Sequence, residues 1–331
     1  MKNFRAALPR HVVIALLIAC CCGTLSTQVF AQDRQAALAR TAALQGEYVG
    51  WVSGGFQRKR LGVQLVARGL DEYSATLTPG GLPGAGATLR DIERVEAETR
   101  GSLVIANTAN YRIWFIANQA RVMTPGGVLR GVLTKVHRSS PTMGAVPPPN
   151  AIVLFDGSDT GELVDPVITA DGLLEEGPMT RRNVRDFFLH TEFRIPFMPE
   201  ASSQARGNSG LYLQRRYEVQ ILDSFGLEGG NNECGALYQQ RRPSVNACFP
   251  PGAWQTYDVE FRAARYNAAG EKVANARITV RQNGITIHNN VELRNKTGAG
   301  RPEGPEPLPI LFQDHSDPVR FRNIWLIPRA N

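Results

Sequence analysis

The sequence predicts an all-β chain, a two-sheet sandwich preceded by a small antiparallel β domain. Three observations predict it: alternating apolar and polar runs recur along most of the 331 residues, Gly and Pro punctuate them, and no long helical pattern interrupts them. In RYEVQIL, Tyr217, Val219 and Ile221 fall on one face of a strand while Arg216, Glu218 and Gln220 fall on the other. DFFLHTEFRIP sets Phe187, Leu189, Phe193 and Ile195 against His190, Glu192 and Arg194, and YDVEF sets Tyr257, Val259 and Phe261 against Asp258 and Glu260. ARITVRQNGITIHN reads as a hairpin about Asn283-Gly284, a dipeptide that tolerates the positive φ angles of a tight turn. Many such strands without a long helix argue for a sandwich.

The chain is long enough for two domains. From Gly46 to about Arg138, runs such as GEYVGWV, LGVQLVARG and GVLRGVLTKV predict the small β domain (32–138), led by a short Ala/Leu-rich helix from Arg34 to Leu44. SSPTMGAVPPPN, at 139–150, holds four prolines and reads as a semi-rigid linker. The larger sandwich follows over 151–331. The N-terminal segment shows no cluster of His, Cys or paired carboxylates, so it reads as an accessory domain. Its aromatics Tyr48, Trp51, Phe56, Tyr111 and Trp114 read as core, with a sugar-stacking platform as the alternative.

Lys2, Arg5 and Arg10 precede an apolar run from Val12 to Ala19, and Val29-Phe30-Ala31 offers a small-residue cleavage site. Residues 1–31 thus predict a signal peptide and a periplasmic or secreted protein. Leu17-Ile18-Ala19-Cys20 gives the alternative of a lipid anchor on Cys20. The apolar run is too short to span a bilayer, so no integral membrane span is expected. Removing the leader takes three basic and no acidic residues, so the formal charge falls from +7 to +4. That balance gives no sign of a nucleic-acid partner. Cys20, Cys21 and Cys22 would also go, leaving Cys234 and Cys248, an even pair that predicts a disulfide in an exported chain.

The densest polar chemistry lies in Gly207 to Gly226, GNSGLYLQRRYEVQILDSFG. A Glu, an amide and then Asp223 at the strand end suit a sugar-facing surface, where carboxylates move protons and amides bind hydroxyls. A solvated sheet face is the alternative for this strand alone. Among the histidines, His11 lies in the leader, His137 and His288 read as surface residues, and His190 as a cross-strand partner. His315 differs: in LPILFQDHSDP it shares strand parity with Gln313 and is flanked by Asp314 and Asp317, so it could exchange protons or ligate a metal.

GNSGLYL, YEVQILDSFG, CGALY, PPGAWQTYDVEF, QDHSDPVRFRNIWL and the LFDGSDTGE at 154–162 together resemble the 3-keto-disaccharide hydrolase family, over about Ala151 to Pro328. A Trp expected shortly after LFDG is missing, with Glu162, Leu163 and Val164 in that region. The resemblance implies a concanavalin A-like jelly roll and an enzyme acting on an oligosaccharide or glycoside oxidised at C3. In such a sugar the ketone acidifies the C2 proton, so a base can remove it, the C1 substituent can leave, and water can add to the resulting glucal. The requirements are a base, an acid for the leaving group, and fixed donors or a divalent metal ion for the enediolate. Glu218, Asp223 and His315 are the candidates for proton transfer or metal ligation, and Asn208, Gln220, Gln313 and Arg194 for substrate binding. An ordinary β-glucanase is disfavoured, because Glu218-Val219-Gln220-Ile221-Leu222 supplies one strand carboxylate where double displacement needs two. A non-catalytic carbohydrate-binding module is the remaining alternative.

Overall fold

The computed structural model describes residues 31–54 and 57–329. The signal-peptide and Cys20 lipid-anchor expectations, His11 and Phe56 therefore lie almost wholly outside the described residues. A helix over 31–44 leads into eight antiparallel strands: β1 (Gly46–Gly54), β2 (Gln57–Gly69), β3 (Glu72–Pro79), β4 (Glu93–Arg100), β5 (Leu103–Asn107), β6 (Arg112–Ile116), β7 (Gln119–Met123) and β8 (Leu129–Val136). They pair in sequence order, and β8 returns to β1, closing a barrel without free edges. Alternate side chains, among them Tyr48, Val63, Leu65, Ile113 and Phe115, fill its interior.

The second unit is a jelly-roll sandwich. One sheet has the order β10 (Leu163–Val164), β12 (Met179–Thr180), β21 (Leu311–Phe312), β14 (Ser209–Leu213), β15 (Tyr217–Ile221). The other runs β11 (Leu174–Glu175), β22 (Arg320–Pro328), β13 (Phe187–Arg194), β16 (Trp254–Arg262), β19 (Ala276–Gln282), β20 (Ile285–Leu293), with β9 (Ile152–Phe155) also on β22. A small ribbon, β17 (Arg265–Tyr266) with β18 (Lys272–Ala274), lies apart. The sheets meet through Leu211, Val219, Ile221 and Phe312 on one side and Leu189, Phe193, Tyr257 and Val259 on the other. Each such buried side chain contributes about 1.5–3 kcal/mol. The predicted hairpin is present: Gln282 pairs with Ile285, and Asn283 and Gly284 both take positive φ.

Barrel and sandwich interlock. Thr76 Oγ1 donates to the Gly226 carbonyl at 2.8 Å, Arg206 Nη1 donates to the Ala67 carbonyl at 3.0 Å, and the Arg138 guanidinium lies 4.8 Å from the Phe249 ring centre. The first half of the expected spacer at 139–150 lies against the outer face of the larger sheet. Thr142 Oγ1 donates to Asp258 Oδ2 at 2.7 Å, the Gly144 amide donates to Glu192 Oε1 at 2.6 Å, and the Ala145 carbonyl accepts from Asn323 Nδ2 at 3.1 Å. The buried acids of that face need donors, and the segment supplies them.

The expected disulfide is not present in the structure, and the surface reading of His288 is corrected. Cys234 and Cys248 are buried free thiols. The two thiols are neighbours that hydrogen-bond each other; Cys234 Sγ also lies 3.3 Å from the Tyr257 hydroxyl and 3.2 Å from Gln282 Nε2, and Cys248 Sγ 3.4 Å from the Phe249 carbonyl. His288 is buried rather than at the surface. Its Nε2 donates to the Gly235 carbonyl at 2.7 Å, and burial pushes its pKa down to about 4, so the ring is neutral. No helix among the described residues is long and apolar enough to cross a membrane.

Candidate active site

On β14 and β15 the core-facing residues alternate with a polar set, and cross-strand pairing puts that set on one face. Tyr212 is directly opposite Glu218, and Gly210 opposite Gln220. Gln313, one residue past β21, joins them, its backbone N–H donating to the Gly210 carbonyl at 2.8 Å. Gly210 is the pivot of the arrangement. A side chain there would put its Cβ 2.7 Å from both Glu218 Oε1 and Gln313 Oε1. The bare backbone lets the carboxylate and the amide converge over β14. Rotating the Gln313 amide would turn its NH2 to the same point.

Glu218 is buried. Its Oε2 accepts the Tyr212 hydroxyl proton at 2.6 Å, and a Gly298 Cβ would come within 3.1 Å of the same oxygen. Segments 235–238 and 297–301 cover the open edge of β15. Gln220 N donates to the Ala236 carbonyl at 2.9 Å and Glu218 N to Thr297 Oγ1 at 2.6 Å. Burial pushes the Glu218 carboxyl up to about 7 against the pull of the Tyr212 bond. A carboxyl poised there can give or take a proton near neutrality.

Asn208 and Gln220 flank this point. Asn208 Nδ2 donates to the Gln204 carbonyl at 2.8 Å and Gln220 Nε2 to Gln204 Oε1 at 3.1 Å. Asn208 Oδ1 and Gln220 Oε1 are buried without a hydrogen-bond partner in the protein. Two orphaned acceptors beside a neutral-range acid suit a ligand rich in hydroxyl donors.

Other candidates stand elsewhere. Asp223 is buried, its Oδ2 accepting from Arg206 Nε at 2.6 Å and its Oδ1 from the Phe225 amide. Burial pushes this carboxyl up against Arg206, and the ion pair leaves it no open oxygen for substrate. Its role is to hold Arg206, which reaches the barrel. His315 is exposed, two residues beyond Gln313 in the loop after β21. Arg194 lies on the outer face of the other sheet, its guanidinium 5.0 Å from the Trp254 ring centre, and is not part of this site. Strand parity put it on a polar face but could not say which sheet.

The metal expectation does not fit these donors. Among the described residues no three His, Cys, Asp or Glu side chains converge, and Glu218, Asp223 and His315 are not brought together. Sequence reasoning missed Tyr212 and Gly210. The hairpin pairing of GLYL with YEVQ was the signal that could have found them.

A second ionisable cluster lies on the outer side of the larger sheet. His190 Nδ1 lies 2.6 Å from Asp258 Oδ1 and its Nε2 3.7 Å from Glu192 Oε1. Glu192 also accepts from Arg322 Nε at 2.7 Å, and Trp325 stacks on the imidazole. Burial pushes the His190 pKa down, but the two carboxylates outweigh it and the net direction is up. Burial likewise opposes ionisation of Glu192, yet bonds from His190, Asn323, the Gly144 amide and Arg322 hold it at about 2. His190 itself is fully buried and helps to fasten the 139–145 segment, while Glu192, Arg322 and Asn323 line a surface cavity of about 660 Å³ beside it.

The profile of the 3-keto-alpha-glucoside-1,2-lyase-like domain matches residues 150–327, more than half of the chain. The chain belongs to this family. Among solved structures, a "putative glycosyl hydrolase" from Parabacteroides distasonis is 32% identical, with TM-score 0.51, and the alignment covers 55% of this chain and 85% of that one. A second so named from the same organism is 19% identical, TM-score 0.41, over 55% of this chain and 94% of that one. A comparison with curated proteins found no match. The lyase-like domain coincides with the jelly roll that carries Glu218, and the barrel lies outside the matched residues. Family and neighbour together make this a carbohydrate-active enzyme.

Proposed function

We propose that the polar face over Gly210 cleaves 3-keto-glucosides by removing the C2 proton, with Glu218 as the base. The observation that carries this reading is a single buried carboxyl lifted to about 7, facing Gln313, while Asp223 is tied up by Arg206. Double displacement at a glycosidic carbon needs a second free carboxyl about 5 Å away.

In the step envisaged, Glu218 takes the C2 proton and the C2–H electrons move toward the C3 ketone, giving an enediolate. That charge then returns to form the C1–C2 double bond as the C1–O bond breaks. The departing oxygen takes a proton and leaves as an alcohol. Water adding its oxygen to C1 and a proton to C2 completes a net hydrolysis. The Tyr212 hydroxyl and the Gln313 amide are the donors nearest the base, Asn208 and Gln220 are placed to accept from sugar hydroxyls, and the exposed His315 is a candidate to protonate the leaving group.

The leader-like residues 1–31 support the further proposal that the enzyme is exported to the periplasm or beyond. Incubating the protein with a 3-keto-disaccharide and with its unoxidised parent tests the activity. Release of sugar and a 2-hydroxy-glucal from the keto form alone is expected; equal cleavage of both would return the site to ordinary glycoside hydrolysis.

A further inference from the structure

The barrel carries an outward row that the proposed chemistry does not use. Register fixes it: Arg60 on β2 is opposite Trp51 on β1, Trp51 opposite Val132 on β8, Val132 opposite Arg121 on β7, and Arg121 opposite Trp114 on β6. Directly opposed residues share a face. That face is the outer one, because the alternate residues Tyr48, Val52, Val63, Ile113, Phe115, Ala120, Val122 and Leu133 fill the barrel. Trp51 is 54% exposed and Val132 40%, whereas Trp114 is half-buried with its indole N–H covered. Arg60 and Arg121 are also exposed, and neither takes part in an ion pair among the described residues. The sandwich sits elsewhere, against Val66, Ala67 and Thr76 on β2 and β3, so it does not cover the row.

The order Arg–Trp–Val–Arg–Trp sets a cation and an aromatic three strands apart, about 14 Å along the surface at the usual strand spacing, on a row that crosses five of the barrel's eight strands and curves with it, so its occupant must be a chain able to wrap the barrel. Arg58 and Arg112 extend the positive charge to one side, Arg112 being tied only to Asn107 through a side-chain bond. Indole faces take the apolar faces of pyranose rings, and guanidinium forks take carboxylates in pairs. A repeating surface of both kinds suits a polymer whose units are sugars bearing acids.

We propose that this row is a binding site for an acidic polysaccharide, distinct from the Glu218 site and holding the enzyme on a polyanionic glycan. Charge complementarity decides the occupant: a neutral glycan would leave the arginines without partners.

The test is affinity electrophoresis and calorimetry of the full chain with polygalacturonate, dextran and single-stranded oligothymidylate as probes. Polygalacturonate should bind, with an affinity that falls as salt rises, and dextran should not. Trp51→Ala/Trp114→Ala and Arg60→Ala/Arg121→Ala should each weaken that binding at least about tenfold, the lower range for losing charge-assisted bonds. Unfolding temperature should be unchanged in the arginine pair and in Trp51→Ala alone, whose side chains are exposed; because Trp114 is half-buried, Trp51→Ala by itself must also weaken binding. Glu218→Gln should bind polygalacturonate as the parent does, which separates failure here from failure of the catalytic proposal. No binding of polygalacturonate, undiminished binding by both double variants, or tighter binding of the oligothymidylate would overturn the proposal.

Discussion

Tyr212 and Glu218 face each other across β14 and β15, and the phenol donates to Glu218 Oε2 at 2.6 Å. Two opposed influences therefore set the proton affinity of the acid. Burial raises it, and the phenol, by stabilising the charged form, lowers it to about 7. Tyr212→Phe removes only the second influence. The alkaline-rising limb of kcat/KM, expected near pH 7 for the parent, should move to higher pH in this variant. A pH–rate profile checks it.

Glu218→Gln should lower turnover by about 10² to 10⁴, the usual worth of a positioned proton carrier. It should also change the pH dependence of stability. The folded pKa lies above the ordinary 4.5, so the parent is undiminished below 4.5 and loses up to about 3 kcal/mol as pH rises to about 7. The Gln variant has no such loss. Urea unfolding at pH 4.5 and pH 8 should show the variant gaining on the parent at the higher pH.

Gly210→Ala tests the convergence. The new methyl would stand 2.7 Å from Glu218 Oε1 and Gln313 Oε1 and 3.0 Å from Tyr212 Cε2, so the polar ends must separate. A stability cost of about 1–3 kcal/mol is expected from the overpacking, with a loss of kcat larger than any change in KM. Steady-state kinetics beside a melting curve distinguish the two effects.

The His190–Glu192 cluster under residues 139–145 has its own pH window. His190 is raised above 6.5, so its contribution is full below that value and fades as pH rises through the folded pKa. Glu192, lowered from 4.5 to about 2, contributes above 4.5 and loses that contribution as pH falls toward 2. Both are in place near pH 5 to 6, values set by those two limits. Between pH 5 and pH 3 the parent should lose more stability than Glu192→Gln, as read by urea unfolding.

Much of this was legible in the sequence because strand parity is a local property. Tyr217, Val219 and Ile221 against Glu218 and Gln220 gave the correct face, and Asn283-Gly284 the correct turn. What parity cannot supply is which outer face a polar residue reaches. Arg194 alternates as well as Glu218 does, yet it lies across the sandwich against Trp254. Pairing of distant charges was equally hidden. Asp223 looks like a site acid until the fold brings Arg206 to it. The Pro-rich segment reads as a spacer by composition, and only the position of His190, Glu192 and Asp258 shows why it is held down. The thiols fit a disulfide by count, and the fold does bring Cys234 beside Cys248, where both stand as free thiols.

The central claim is that Glu218 removes a proton from C2 of a 3-keto sugar, and a substrate deuterated at C2 tests it most directly. Mass spectrometry of the products should show the label lost or exchanged with solvent, with a slowed turnover, and Glu218→Gln should abolish the exchange. Full retention of deuterium in the released sugar, at unchanged rate, would contradict the account.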